Sequence, residues 1–285
     1  MNPVFSCLNV PLPLHSRGEI VIEGIWVFPL LGVVAGVLAG LLGVGGGLVL
    51  VSALAWLLPL HGIPKEAAMH AALASSLASI VLTAASSAYA HHGRGSVLWP
   101  TVGWMVPGLL LGGWLGSGVA VRLDDQALRW FVAGYCFIAA TQLLFGKTRG
   151  GLQEGTAPVP GGWPMTAAGT GIGAVSAVVG IGGGSMTVPL LVWRGVAPVR
   201  AVGTSSACGV AIGLASALGY ALHAPAGALP QYAVGYVYLP AAIGVAVASV
   251  LAAPYGMRLA HRISGPALKR IFAAFLAAVG ISLLL

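Results

Sequence analysis

The chain has 285 residues, 58% hydrophobic and only 7% charged, with 43 glycines. No water-soluble domain of this length keeps so little charge, so composition excludes the soluble classes and makes this an integral membrane protein whose main partner is the lipid bilayer. The net charge of +7, which would suggest nucleic acid in a soluble protein, reads here as the Lys and Arg excess of cytoplasmic loops, and no nucleic-acid partner is expected.

Residues 1–24 form an N-terminal tail in which Arg17, Glu19 and Glu23 follow a Pro-containing stretch. It lacks a short apolar core leading to a small-residue cleavage site, so the first apolar segment is expected to stay as a membrane helix. Apolar residues run from Ile25 to Leu42, break at Gly43-Val44-Gly45-Gly46-Gly47, and resume from Leu48 to Leu60. After the turn His61 to Glu66 come Ala67 to Ala90, a loop His91 to Gly95, Val97 to Val121, a charged turn Arg122 to Gln126, and Ala127 to Gly146. Residues 147–162, rich in Gly and Pro, read as a linker between two halves, 25–146 and 163–285. The second half repeats the plan: Trp163 to Val179, a break at Gly180-Ile181-Gly182-Gly183-Gly184, Ser185 to Trp193, a turn holding Arg194 and Arg200, then Ala201 to Leu222, Tyr232 to Ala253 and Ala267 to Leu285.

Shorter matches keep the same order. Ala72-Leu73-Ala74-Ser75-Ser76 answers Ala201-Val202-Gly203-Thr204-Ser205, and Pro107 answers Pro240. The expected fold is all-α: two homologous repeats of about four transmembrane helices each, with glycine-broken helices. Three consecutive glycines each cost roughly 1 kcal/mol in a helix relative to alanine, so the runs are read as deliberate breaks. Paired breaks in two halves point to a transporter binding site.

Ser185 to Trp193 covers less than half of a roughly 30 Å hydrocarbon layer at about 1.5 Å per residue. The pieces flanking each break therefore either join into one broken crossing, giving eight crossings and parallel repeats, or fold as a re-entrant hairpin, giving six and inverted repeats. The positive-inside rule ties, with nine of the 13 basic residues on the richer side either way. The length of Ile25 to Leu42 favours eight.

All six acidic residues fall in loops or at segment edges. A carboxylate relay, a cation as substrate and acid-base catalysis are thereby disfavoured, and neither a catalytic residue, a metal site nor a cofactor is expected. What remains inside is glycine backbone and hydroxyls. A half-helix starting at Gly46-Gly47 or Gly183-Gly184 points unpaired N–H groups and a positive dipole end at mid-membrane, which suits an anion. The candidate substrate-binding set is Gly43, Gly45, Gly46, Gly47, Ser75, Ser76, Gly180, Gly182, Gly183, Gly184, Ser185, Thr204, Ser205 and Ser206. Gly108, Gly112, Gly113 and Gly116 are read instead as close-packing positions.

The two G-h-G-G-G segments (h, apolar), Gly43 to Gly47 and Gly180 to Gly184, with the segment Gly195-Val196-Ala197-Pro198-Val199-Arg200-Ala201-Val202-Gly203-Thr204-Ser205, resemble the TauE/SafE family of membrane permeases, or sulfite exporters. The first half departs, with Ala74-Ser75-Ser76 in place of Gly-Thr-Ser and a longer spacing from Gly62-Ile63-Pro64. The resemblance implies transport of sulfite, an organosulfonate or a related small anion across the bacterial inner membrane, with the two halves around a central path. A permease working by alternating access is the leading expectation, and a channel-like facilitator for an anion or small neutral solute is the alternative. A homo-oligomer is compatible with either, and no motif sets its order.

Overall fold

The computed structural model describes residues 25–42, 46–145, 159–229, 232–260 and 265–284. The N-terminal tail, most of the linker, and Gly43 and Gly45 lie outside them. The described chain is mostly helical: α1 Val27–Leu42, α2 Gly47–Leu60, α3 Ala68–His92, α4 Trp99–Ala120, α5 Asp125–Phe145, α6 Trp163–Val179, α7 Gly184–Trp193, α8 Pro198–Leu222, α9 Leu239–Ala260 and α10 Gly265–Leu284. α4, α8, and α3 taken with the short 3-10 turn before it are each long and apolar enough to cross a membrane. The solubility pattern is inverted: all eight tryptophans are exposed, while Ser75, Ser76, Thr101, Ser117, Ser176, Thr187, Thr204 and Ser216 are fully buried. An apolar exterior over a small-residue, hydroxyl-bearing interior is what lipid as solvent selects. The chain is an integral membrane protein.

Helix directions follow from close approaches at glycine. α3 and α8 cross in opposite directions, since a Cβ at Gly203 would lie 2.7 Å from Ser96 O, one at Gly209 3.3 Å from Ala84, and one at Gly213 3.0 Å from Leu77 O. α4 returns beside α3, so that His70 Nε2 lies 3.2 Å from Ala120 O and 3.1 Å from Leu123 O. α6 runs parallel with α4, and α1 with α9. A Cβ at Gly112 would sit 2.1 Å from Thr170 O, and one at Gly36 2.6 Å from Ser249 O, so neither interface accepts a larger residue without moving apart. The bundle thus has two ends, one holding Arg94 and Ser96, the other Arg122 and Tyr236.

At neither break does the chain run straight on. Gly46 returns against Ala35, whose carbonyl oxygen would be 2.6 Å from a Cβ there. The rings of Phe28, at the start of α1, and His61, just past the end of α2, are 4.9 Å apart. α2 therefore goes back to the Arg122 end, where α1 began. The second pair mirrors this from the Arg94 end. Thr101 Oγ1 donates to Pro160 O at 2.7 Å and Thr166 Oγ1 to Trp104 O at 2.7 Å, holding the start of α6 beside the start of α4. α7 begins beside the middle of α8 and runs back to the turn that opens α8. This corrects the expectation of a continuous broken crossing. The physical reason is at Gly180, whose left-handed φ of +76° ends α6 and turns the chain.

A second difference lies before α9. Tyr232 to Tyr238 reads in sequence as the start of a membrane helix, but Ala233–Val234 and Val237–Tyr238 pair as a two-stranded antiparallel hairpin. Gly235, at φ +58°, opens its turn.

Candidate functional site

Each break is built by local backbone chemistry. Gly180 N–H donates to Ser176 O at 2.9 Å and Ile181 N–H to the same oxygen at 3.1 Å, closing α6. Gly183, at φ +72°, then accepts from Thr187 N–H at 2.8 Å and starts α7. Any residue with a Cβ pays roughly 1–2 kcal/mol for that left-handed backbone. At the first break Leu50 N–H donates to Gly46 O at 3.0 Å and starts α2. The two breaks touch. A Cβ at Gly47 would be 2.7 Å from Gly180 O, and Ser76 Oγ, from α3, lies 3.1 Å from Gly180 O and 3.3 Å from Gly47 O, to which it donates.

Beside this junction is a cavity of about 230 Å³ that extends from the middle of α3 and α8 toward the Arg94 end. Gly46, Gly182 and Gly184 bring both breaks to its wall, and Ser205 and Ser206 join them from α8. The amide-bearing starts of α2 and α7 thereby converge on one space, and their unpaired N–H groups and dipoles favour negative charge. α3 lines the space with Thr83, Ser86, Ser87 and His91, the loop after it adds Arg94, and α9 adds Ser249. Ser87 Oγ and Ser206 Oγ are 3.0 Å apart, and Ser206 Oγ donates to Val202 O at 3.0 Å. His91 Nδ1 is buried and has no hydrogen-bond partner. Among the described residues, the lining holds a cation and no carboxylate.

The sequence-derived candidates fall into four groups. Gly46, Gly182, Gly184, Ser205 and Ser206 line the cavity. Gly47, Gly180 and Ser76 form the junction behind it, and Gly183 packs toward Ile212 and Ile172. Ser75, Thr204 and Ser185 are engaged elsewhere: Ser75 Oγ accepts Tyr238 N–H at 3.0 Å, Thr204 Oγ1 accepts Leu98 N–H at 3.0 Å and donates to Arg200 O at 2.7 Å, and Ser185 Oγ bonds Tyr135 OH. Ser75 and Thr204 thus hold the starts of α9 and α4, each from the opposite half. Gly43 and Gly45 lie outside the described residues.

Thr83, Ser86, Ser87, His91, Arg94 and Ser249 also line the cavity and are not among the sequence candidates. A signal existed: Ser76, Ile80, Thr83, Ser87, His91 and Arg94 recur every three or four residues, one stripe of a helix carried into its following turn.

The family model described as sulfite exporter TauE/SafE matches residues 28–283. The chain belongs to the TauE/SafE family. It is a membrane transporter of that type, not an enzyme. A probable membrane transporter protein of Haemophilus influenzae is 33% identical over 258 residues, covering 90% of this chain and 96% of the relative. One of Methanocaldococcus jannaschii is 24% identical over 269 residues, 92% and 97% of the two chains. One of Xylella fastidiosa is 29% identical over 194 residues, 67% and 72%. No solved structure matches the chain significantly.

Proposed function

We propose that this TauE/SafE protein carries a small oxyanion, sulfite or an organosulfonate, across the bacterial cytoplasmic membrane, and that the cavity between the two breaks is its binding site. The observation that carries the reading is the lining itself: two half-helix starts, a cluster of hydroxyls and Arg94, with no described carboxylate. Backbone and hydroxyl donors satisfy the oxygens of a tetrahedral or pyramidal anion from several sides, while Arg94 offsets its charge. A cavity of about 230 Å³ admits such a solute with a few waters.

The architecture proposed with it is two inverted repeats, 25–146 and 163–285, joined by the linker 147–162. Each consists of a re-entrant pair, α1–α2 or α6–α7, and three crossings. Support comes from the reciprocal packing of α1 on α9 and α6 on α4, and from the matched bonds of Ser75 and Thr204. On this path the described Arg94, Arg194, Arg200, Arg258, Lys269 and Arg270 fall at the Arg94 end, against Lys65, Arg122 and Arg129 at the other. That end is cytoplasmic by the positive-inside rule, so the cavity faces the cytoplasm.

The test is counterflow in proteoliposomes. A carrier exchanges radiolabelled sulfite faster when unlabelled sulfite waits on the far side. A channel-like facilitator shows no such acceleration, and absence of any sulfite or sulfonate flux rejects the substrate class.

A further inference from the structure

The cavity has a structural counterpart on the other side of the junction, and there the space is filled. The α1–α9 contact of Gly36 with Ser249 is matched by the α6–α4 contact of Gly173 with Leu109, a Cβ being 2.6 Å from the partner carbonyl in both. Extending the match of Ser75 with Thr204 along α3 and α8 sets Thr83 against Ile212, Ser87 against Ser216 and His91 against Tyr220. Ile212, Leu109 and Tyr220 are all fully buried, and Tyr220 OH donates to Ala177 O at 3.2 Å, tying α8 to α6. Tyr236 N–H reaches Tyr220 O at 3.4 Å from the hairpin. Inside this packed region two hydroxyls, Ser176 Oγ on α6 and Ser216 Oγ on α8, are fully buried with no hydrogen-bond partner. A buried hydroxyl without a partner is unfavourable, and a pair of them beside the second break calls for a solute that they meet in another state.

We propose that the region between α4, α6 and α8 is the closed half of the transport path, that Tyr220 is its gate, and that Ser176 and Ser216 are a second station for the oxyanion. The proposal rests on the cavity being the cytoplasm-facing site. When Tyr220 releases Ala177 O and swings from between α6 and α8, the junction of the breaks opens toward the Arg122 end. The two free hydroxyls then meet an anion leaving the α7 start, as Ser87 and Ser206 meet it on the cytoplasmic side.

The experiment uses the full chain with Cys7, Cys136 and Cys208 replaced by Ala or Ser, shown first to transport, in vesicles of both orientations. A membrane-impermeant methanethiosulfonate is applied to Ser87→Cys and Ser216→Cys, with and without Tyr220→Ala. Expected is modification of Ser87→Cys from the cytoplasmic face, and slow modification of Ser216→Cys from the outer face alone, at least 10-fold faster when Tyr220 is Ala. Tyr220→Phe, which keeps the ring and loses the bond, gives a smaller acceleration. Ser176→Cys repeats the measurement should Ser216→Cys not accumulate. Ser216→Cys and Ser176→Cys both silent from outside even with Tyr220→Ala, or reached from the cytoplasm, overturns the gate and leaves the cavity reading standing. Ser87→Cys unreachable from the cytoplasm overturns both.

Discussion

Arg94 is the cation on the cavity wall, and its removal tests whether the space holds a negative charge. A charge-assisted hydrogen bond contributes about 1.5–3 kcal/mol, so Arg94→Gln is expected to lower kcat/KM for sulfite uptake by about 10- to 100-fold, with Arg94→Lys intermediate. Gly183→Leu strains a φ of +72° and drives a Cβ to 2.3 Å from Ile212 Cδ1, so transport is lost at normal protein level. Ser76→Ala leaves two buried carbonyls without their shared donor. It should lower stability by about 1–3 kcal/mol, read as a reduced Tm in detergent. Of the sequence candidates, Gly46, Gly182, Gly184, Ser205 and Ser206 line the cavity, and the glycines stood out because a run of Gly inside an apolar segment has few other uses. Arg94 was not, since an arginine in a short loop looks like an ordinary topology signal until the loop is seen over the cavity. Ser75 and Thr204 misled for the opposite reason: a buried hydroxyl serves a helix start as readily as a ligand.

The helices were legible, with the limits of α6 found to the residue, because apolar length and Gly, Pro and charged turns report them directly. The reversals at the breaks were not. α1 has 16 residues, about 24 Å of rise, enough to suggest a crossing, and the charge rule was tied. The contacts of Gly46 with Ala35 and of Phe28 with His61, and the matching pair at α6–α7, decide the path. Helix phase was equally hidden: Pro240 lies in the first turn of α9 and Pro100 in that of α4, whereas Pro107, matched to Pro240 in sequence, lies inside α4. The hairpin Ala233–Tyr238 escaped because Tyr, Val and Ala suit a strand and a membrane helix equally. Inverted repeats predict that cysteines at Arg122 and Arg200 react with impermeant thiol reagents from opposite faces, whereas parallel repeats place both on one face. Gly112→Leu, whose Cβ alone would lie 2.1 Å from Thr170 O, is expected to force α4 from α6 and abolish stable accumulation, read by fluorescence-detected gel filtration.

At the scale of the molecule, the helix pairs α1–α2 and α6–α7 reach in from opposite ends and meet where Ser76 reaches both Gly47 and Gly180. On the proposed reading the junction divides a transport path into two halves, with a cavity toward Arg94 and packed side chains around Tyr220. The proposed carrier requires that asymmetry, since a continuous pore has both halves open together. Family membership shows a transporter, and the proposal of an anion as its substrate rests on which groups line the open half. The most direct measurement is therefore radiolabelled sulfite counterflow in proteoliposomes, run with the native chain and with Arg94→Gln. A carrier with Arg94 at its site gives uptake stimulated several-fold by internal unlabelled sulfite and reduced about 10-fold or more in the variant. Uptake that ignores internal anion, or that Arg94→Gln leaves unchanged, contradicts the proposal.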